Sequence, residues 1–133
     1  MSGGTVSIVP ARPRPCPCGA PAPYDACCGP VHRGDAPAAS AEALMRSRYS
    51  AFVRRDADYL LASWHPSTRP TRLNLDPDVR WLGLEVISAS GGVFDTTGLV
   101  EFRATHEQGV QTERSRFVRE DGRWYYLDGV VAR

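Results

Sequence analysis

The order of apolar and polar residues divides the chain into a helix-forming part and a strand-forming part. Between residues 41 and 55, apolar side chains recur at the three- and four-residue spacing of an amphipathic helix. From residue 80 onward, β-branched and aromatic segments are separated by short turns that contain glycine, as in antiparallel strands. This pattern predicts an α+β fold in which helices pack over a sheet of sequential strands.

The predicted helix at residues 41–55 carries a charge on its apolar face. Ser40 has the character of an N-cap and Glu42 places negative charge in the first turn. Arg48 falls inside the arc of apolar residues, and a buried charge needs a partner or a polar cavity. We expect Arg48 to point inward and to pair with Asp128 near the end of the chain; the alternative is that its side chain extends past the core into solvent. The apolar arc consists of Ala41, Leu44, Met45, Tyr49 and Phe52.

A second, shorter helix is predicted at residues 57–64, with Asp56 as its N-cap. His65 precedes Pro66, and the residue before a proline avoids helical geometry, so the helix should end there. Residues 67–78 read as a loop, and the apolar segment at 81–89 as the first strand.

Two tight turns predict the pairing of the later strands. Asp121-Gly122 is a strong two-residue hairpin signal, and counting outward from it pairs Ser115 with Asp128. A turn at Gln108-Gly109 pairs, by the same counting, His106 with Gln111. Both turns place the same residues on one face of the sheet, which we predict to be the core face: Val100, Phe102, Ala104, Phe117, Trp124 and Tyr126.

Polar side chains share this core face, gathered toward one end of it. Helices packed over a sheet, with polar groups at one end, are typical of a ligand pocket or of its entrance. The alternative is that these groups have only a structural role and bond to the helices that pack on the sheet. The predicted pocket comprises Arg48, Tyr49, Trp64, His65, His106, Glu113, Ser115, Trp124, Tyr126 and Asp128.

All four cysteines lie in one short segment with the spacing C-x-C-x8-C-C: Cys16, Cys18, Cys27 and Cys28. Neither close pair forms an unstrained disulfide on itself, whereas four thiols in one loop suit one tetrahedral metal ion, zinc by default. Four thiolates leave no open position for water, so the zinc should be structural. A disulfide framework is the alternative, and it needs an oxidising compartment that no apolar leader in residues 1–15 supports. His32 is an alternative to one of the sulfur ligands.

Length and charge restrict the remaining choices. The 133 residues suffice for one domain with a small appendage, and no apolar segment approaches bilayer length. A net charge of +1 points to neither nucleic acid nor membrane. We divide the chain into a disordered N-terminus at residues 1–15, a zinc knuckle at 16–30, a linker at 31–40 and a main domain at 41–131. The domain should not need zinc to fold.

Several segments together resemble a known bacterial family. The cysteine spacing resembles the SEC-C zinc motif. Five further segments are similar to the YchJ-like proteins: AEALMRSRYSAF at 41–52, YLLASWHPS at 59–67, WLGL at 81–84, ERSRF at 113–117 and GRWYYLDG at 122–129. The resemblance implies a nuclear-transport-factor-2-like domain, a cone of bent antiparallel sheet whose wide side is closed by helices. It implies one structural zinc ion and no particular reaction.

Two hypotheses of function follow. In the first, which we favour at this stage, the protein is a cytoplasmic adaptor whose zinc knuckle docks a protein partner, with dimerisation of the domain as an option. In the second, the cone pocket binds a small molecule or catalyses a reaction, with Arg48 holding an anion and His65, His106, Glu113 or Asp128 acting as acid or base. No nucleophile motif, phosphate loop or cofactor fingerprint supports an enzyme. Nucleic-acid binding is disfavoured, because few arginines flank the knuckle.

Overall fold

The structure is a computed structural model that describes residues 14–132 of the chain. The predicted disordered segment at residues 1–15 lies almost entirely outside the described residues. None of the helices in the described range has the length and apolarity that crossing a bilayer requires.

Three helices precede a four-stranded antiparallel sheet whose strands follow one another in the order β1-β2-β3-β4. A 3-10 turn, Tyr24–Ala26, comes before the first helix. The elements are α1 (Cys28–His32), α2 (Ala41–Arg54), α3 (Ala57–Ala62), β1 (Trp81–Ala89), β2 (Thr97–His106), β3 (Gly109–Glu120) and β4 (Arg123–Ala132). The predicted α+β class is confirmed.

The predicted caps define where the two longer helices begin. The Ser40 hydroxyl accepts a hydrogen bond from the backbone N–H of Ala43 at 3.0 Å. The Asp56 carboxylate accepts one from the backbone N–H of Tyr59, also at 3.0 Å. Between the two helices, Arg55 takes a left-handed conformation with φ of 57° and ends α2 one residue earlier than predicted.

The third helix is two residues shorter than predicted because its C-terminal end joins the sheet. Trp64 forms an isolated parallel bridge with Tyr126 of β4. The backbone N–H of His65 donates to the Tyr126 carbonyl at 2.7 Å, and the N–H of Tyr126 donates to the Ser63 carbonyl at 2.9 Å. These bonds satisfy backbone groups that a longer helix would otherwise use. They bring Trp64 against the inner face of the sheet.

Helix α2 lies across the sheet at very short range near its N-terminus. A Cβ atom at Gly98 of β2 would lie only 2.6 Å from the Cβ of Ala41 and from the carbonyl oxygen of Ser90. The backbone N–H of Ala41 donates to the Gly91 carbonyl at 3.0 Å. Only a glycine at position 98 allows this close approach of helix and strand.

The β3–β4 hairpin confirms the predicted turn and corrects the pairing beyond it. Asp121 and Gly122 have φ of 52° and 78°, as a two-residue type I′ turn requires. A bulge then inserts Leu127, so that Ser115 pairs with Gly129 and Arg116 with Asp128. One extra residue moves every following side chain of that strand to the opposite face. Asp128 therefore lies on the outer face, and its predicted pairing with Ser115 is wrong.

The β2–β3 hairpin is shifted by two residues from the prediction. His106 pairs with Gly109 rather than Gln111, so the turn is Glu107-Gln108. The imidazole Nδ1 of His106 accepts the backbone N–H of Gln108 at 3.2 Å, which caps the turn at this position. A shift of two residues preserves the face on which each side chain lies. The predicted core face of β2 and β3 is thus retained although its register is wrong.

The main core lies between α2 and the inner face of the sheet. Val100, Ala104, Phe117 and Trp124 of the predicted face are buried, and Phe102 and Tyr126 are half-buried beside them. From the helix side, Leu44, Met45 and Tyr49 complete the cluster. The half-buried members matter for function, because they border a cavity.

Candidate functional site

A cavity of about 330 Å³ opens between α2 and the inner face of the sheet. Its volume is at the lower end of the range for small-molecule sites, about 300–1,000 Å³. The walls are mostly aromatic or aliphatic, with a few polar groups. The lining consists of Met45, Arg48, Tyr49, Phe52, Trp64, Leu73, Trp81, Phe102, Ala104, Gln111, Glu113, Ser115, Phe117 and Tyr126.

Arg48 is the buried charge of this cavity. Its side chain is held from one side only: Nη1 donates to the Leu60 carbonyl at 2.8 Å and to the Ser63 hydroxyl at 2.7 Å. The guanidinium carbon lies 4.3 Å from the ring centre of Tyr126 and 5.2 Å from that of Trp64. Such aromatic contacts stabilise a cation by about 0.5–2 kcal/mol.

The other side of the guanidinium has no hydrogen-bond or carboxylate partner within residues 14–132. Within residues 14–132, no carboxylate lies within the 4.0 Å of an ion pair with Arg48, and Nε and Nη2 make no hydrogen bond. In this range, only the indole nitrogens of Trp64 and Trp124 are both fully buried and unpartnered, so Nε and Nη2 keep accessible surface. Burial lowers the pKa of Arg48 to about 10, which leaves it cationic at neutral pH. The predicted Arg48–Asp128 pair does not form.

Glu113 places a carboxylate in the same cavity, on β3. Its Oε2 accepts a hydrogen bond from the buried Ser115 hydroxyl at 2.7 Å. Gly129 of β4 provides the room, since a Cβ there would lie 3.0 Å from the Glu113 carboxylate. Burial, reinforced by the nearby Glu113 charge, raises the pKa of Tyr126 to about 12, although Arg48 acts in the opposite direction.

The second candidate site is the cysteine cluster. The Sγ atoms of Cys16, Cys18, Cys27 and Cys28 all lie within 4.8 Å of one another, and all four are free thiols. A tetrahedral zinc ion with Zn–S bonds of about 2.3 Å requires sulfur separations of about 3.8 Å. The Cys18 and Cys27 sulfurs already lie 3.6 Å apart. The donor set and its spacing therefore fit a four-coordinate metal ion.

The protonation of the metal-free thiols is uneven. Hydrogen bonding to Cys28 lowers the pKa of Cys18 to about 5, against the opposing effect of burial. Burial raises the pKa of Cys27 to about 11, and the hydrogen bond to Cys18 raises that of Cys28. Metal binding would release the protons of the thiols that remain neutral, because only thiolates serve as ligands.

His32 does not belong to the ligand set. Its Nε2 donates to the Ser47 carbonyl of α2 at 2.7 Å, and its Nδ1 lies 2.6 Å from the Tyr24 hydroxyl. Both ring nitrogens are therefore engaged in hydrogen bonds, and the alternative in which His32 replaces a cysteine is not supported.

The cysteine cluster packs directly on α2. The Ser50 hydroxyl donates to Cys28 Sγ at 3.3 Å and lies 3.4 Å from Cys16 Sγ. Arg46 donates to the carbonyl of Cys18 at 2.7 Å. The Arg54 guanidinium lies 3.9 Å from the ring centre of Tyr24. One helix thus carries the cluster on one side and the cavity on the other.

Comparison with known proteins identifies the family. A family model described as the middle NTF2-like domain of YchJ matches residues 40–129. The chain belongs to the YchJ family. It is 60% identical over 116 residues to UPF0225 protein SCO1677 of Streptomyces coelicolor, covering 86% of this chain and 94% of that protein. The predicted YchJ-like, nuclear-transport-factor-2-like fold is confirmed.

Two solved structures of SEC-C motif containing proteins are similar to this YchJ-family chain. The solution structure of RPA3114 from Rhodopseudomonas palustris has a TM-score of 0.79 at 36% identity, covering 89% of this chain and 98% of that one. A crystal structure from Psychrobacter arcticus has a TM-score of 0.71 at 31% identity, covering 89% and 82%. The resemblance of the cysteine segment to a SEC-C motif is thereby supported, as is metal binding by the four cysteines.

Within this YchJ-family chain, the cavity is lined by six of the ten predicted pocket residues: Arg48, Tyr49, Trp64, Glu113, Ser115 and Tyr126. Trp124 is placed in the neighbouring core, where it is 4% exposed. Asp128 lies outside because of the β-bulge, and it pairs there with Arg116.

The two predicted pocket histidines lie elsewhere as well. His65 bonds through Nε2 to the Glu120 carboxylate at 2.8 Å and through Nδ1 to the Ser67 hydroxyl at 2.7 Å. His106 packs edge-on against Trp81, with ring centres 5.4 Å apart, and caps the β2–β3 turn. Neither imidazole lines the cavity.

Several lining residues were not predicted as pocket residues. Phe52, Trp81 and Phe102 have the apolar periodicity of ordinary core residues, and only their position at the cavity edge distinguishes them. Leu73 belongs to a loop whose sequence has no hydrophobic periodicity, so no sequence pattern predicts it as a pocket residue. Gln111 lies on the core face in the predicted and in the observed register, and only its position beside the cavity distinguishes it from a core-facing polar residue.

Proposed function

We propose that this protein is a small-molecule-binding protein, with a structural zinc ion, whose cone cavity takes an organic anion at Arg48. The observation that supports the proposal is the open side of the Arg48 guanidinium. A buried cation without a carboxylate partner is costly, and it is retained most readily where a ligand completes its coordination. The aromatic walls supply the apolar area that such a ligand would bury.

In this proposal one zinc ion is held by Cys16, Cys18, Cys27 and Cys28 and has a structural role. Four thiolates saturate a tetrahedral ion and leave no position for water or substrate. Free thiols of this kind persist in a reducing compartment, so the proposal places the protein in the cytoplasm.

The adaptor role of the knuckle stays a prediction with less support than the cavity. Protein interfaces are dominated by a few large exposed apolar or aromatic anchors. Within the described range, the large exposed apolar residues all lie beyond residue 80, and part of the knuckle surface is covered by α2. Homodimerisation likewise stays a prediction.

Binding rather than catalysis is proposed for the cavity. The two histidines considered as proton-transfer groups lie outside it and bond to their own surroundings. The cavity groups that remain can bind and orient a ligand: Arg48, Gln111, Glu113, Ser115 and the tyrosines.

Calorimetry with 4-methylbenzoate, a compact aromatic anion, tests the proposal. The wild-type protein should bind this probe, and binding should change the fluorescence of Trp64 and Trp81 in the cavity wall. Arg48→Met should weaken binding at least tenfold, whereas Arg116→Met, which removes an exposed arginine of the outer face, should not.

Because Arg48→Met could perturb folding, Arg48→Lys serves as a second variant that keeps the charge and loses the planar fork. It should retain the thermal transition and bind the probe with intermediate affinity. Wild-type protein that binds no 4-methylbenzoate, or binds it no better than folded Arg48→Met, would overturn the proposed function.

A further inference from the structure

The cavity contains two opposite formal charges that do not pair with each other. Arg48 enters from α2 and Glu113 from β3, and both line the same space. No ion pair within 4.0 Å joins them, and no other basic side chain of residues 14–132 lies at that distance from Glu113. A ligand with a single negative charge would pair with Arg48 and leave Glu113 without a partner of opposite charge.

Glu113 has one oxygen engaged and one available. Oε2 accepts the Ser115 hydroxyl, while Oε1 makes no hydrogen bond within the described chain. Ser115 is 1% exposed, so the carboxylate is held from beneath by a rigid donor. The absence of a side chain at Gly129 leaves the space that the carboxylate occupies on the β4 side. The free oxygen is thus a preorganised acceptor for a cationic donor.

The remaining walls restrict the body of the ligand. Phe52, Trp81 and Phe102 are flat apolar groups that favour an aromatic body. A cavity volume of about 330 Å³ lies at the lower end of the range for small-molecule sites, so it suits a compact ligand.

We infer that the ligand is a compact aromatic zwitterion whose carboxylate binds Arg48 and whose ammonium group binds Glu113. The inference rests on the proposed function, and it adds the second charge and the aromatic body to it. Pairing offsets the cost of desolvating such a ligand, because the buried Arg48 and the half-buried Glu113 each gain a partner of opposite sign.

Three matched probes test the inference by calorimetry: 4-(aminomethyl)benzoate has both charges, 4-methylbenzoate lacks the ammonium group, and benzylamine lacks the carboxylate. The wild-type protein should bind 4-(aminomethyl)benzoate at least tenfold more tightly than either of the others. Glu113→Gln keeps the side-chain shape and the acceptor for Ser115 but removes the charge. It should abolish the preference for 4-(aminomethyl)benzoate over 4-methylbenzoate.

Glu101→Gln is the matched control, since Glu101 lies on β2 and pairs across the outer face with Arg114 at 3.7 Å. It should retain the full preference. Equal affinity of the wild-type protein for 4-(aminomethyl)benzoate and 4-methylbenzoate would overturn the zwitterion and leave the proposed anion site standing. Failure of both carboxylates to bind would overturn the two together.

Discussion

The imidazole Nε2 of His32 donates a hydrogen bond of 2.7 Å to the backbone carbonyl of Ser47, in the middle of α2. On its other side the ring is held by the Tyr24 hydroxyl. The Ser47 hydroxyl in turn meets the Tyr59 hydroxyl of α3. His32 therefore connects the cysteine segment to the two helices that frame Arg48, and the cysteine segment is not an independent appendage.

Loss of the metal should therefore destabilise the whole domain. We expect Cys27→Ser with Cys28→Ser to abolish metal binding and to lower the midpoint of the main thermal transition by about 5 °C or more, since about 1–2 kcal/mol has that effect on a domain of this size. This replaces the sequence-based expectation that the domain does not need zinc. Differential scanning calorimetry of the metal-loaded and variant proteins measures the shift.

His32→Ala tests the contribution of the His32–Ser47 contact to stability separately from that of the metal ion. It should keep the zinc content and still lower the stability by about 1 kcal/mol, because the Ser47 carbonyl and the Tyr24 hydroxyl lose a partner. His106→Ala, which removes an imidazole at the β2–β3 turn and far from the cysteine segment, is the comparison. If neither chelation nor the double cysteine change shifted the midpoint of the main thermal transition, the knuckle would fold independently of the domain.

The purified protein should contain about one zinc ion per chain, bound by Cys16, Cys18, Cys27 and Cys28. Metal analysis of protein produced without added zinc gives the stoichiometry, and thiol titration before and after chelation shows whether the four sulfurs are protected by metal. Two intact disulfides in metal-free protein would rule the site out.

The close packing of α2 on β2 predicts a strong effect of a single methyl group. Gly98→Ala should destabilise the protein by about 1–3 kcal/mol, because the added Cβ meets Ala41 and the Ser90 carbonyl at 2.6 Å. Gly83→Ala in β1 is the matched control, since no atom of the described residues lies within 4 Å of the added atom. Urea unfolding should show a change within about 0.5 kcal/mol there. Equal losses in the two variants would contradict the packing described for α2.

The outer-face pair of Asp128 and Arg116 predicts a weak dependence of stability on acid. Hydrogen bonding to Arg116 lowers the pKa of Asp128 below its usual value, so the pair's contribution is present above about pH 4 and is lost as the pH falls through the lowered value. Both side chains are solvent-exposed, so the contribution is small and is screened by salt.

Asp128→Asn should therefore flatten the acid limb of the stability curve slightly, and only at low ionic strength. At pH 7, Asp128→Ala should cost no more than Glu101→Ala, which breaks another exposed outer-face pair. A loss several times larger for Asp128→Ala in urea melts would mean that Asp128 supports a buried charge after all.

The sequence by itself determined the features that depend on local chemistry. The caps at Ser40 and Asp56, the Asp121-Gly122 turn and the spacing of the four cysteines each act over a few residues, so a short segment suffices to predict them. The inner face of β2 and β3 was also predictable, because side chains alternate with period two and an error of two residues in register leaves the face unchanged.

The tertiary structure alone decided which polar groups meet. The Leu127 bulge moves Asp128 to the outer face, where it pairs with Arg116, and Arg48 is left open to the cavity. The packing of the cysteine segment on α2 was decided in the same way, by contacts between His32 and Ser47 and between Cys28 and Ser50. Local propensity does not encode a bulge or a helix docking, because both are set by the free energy of contacts between residues far apart in the chain.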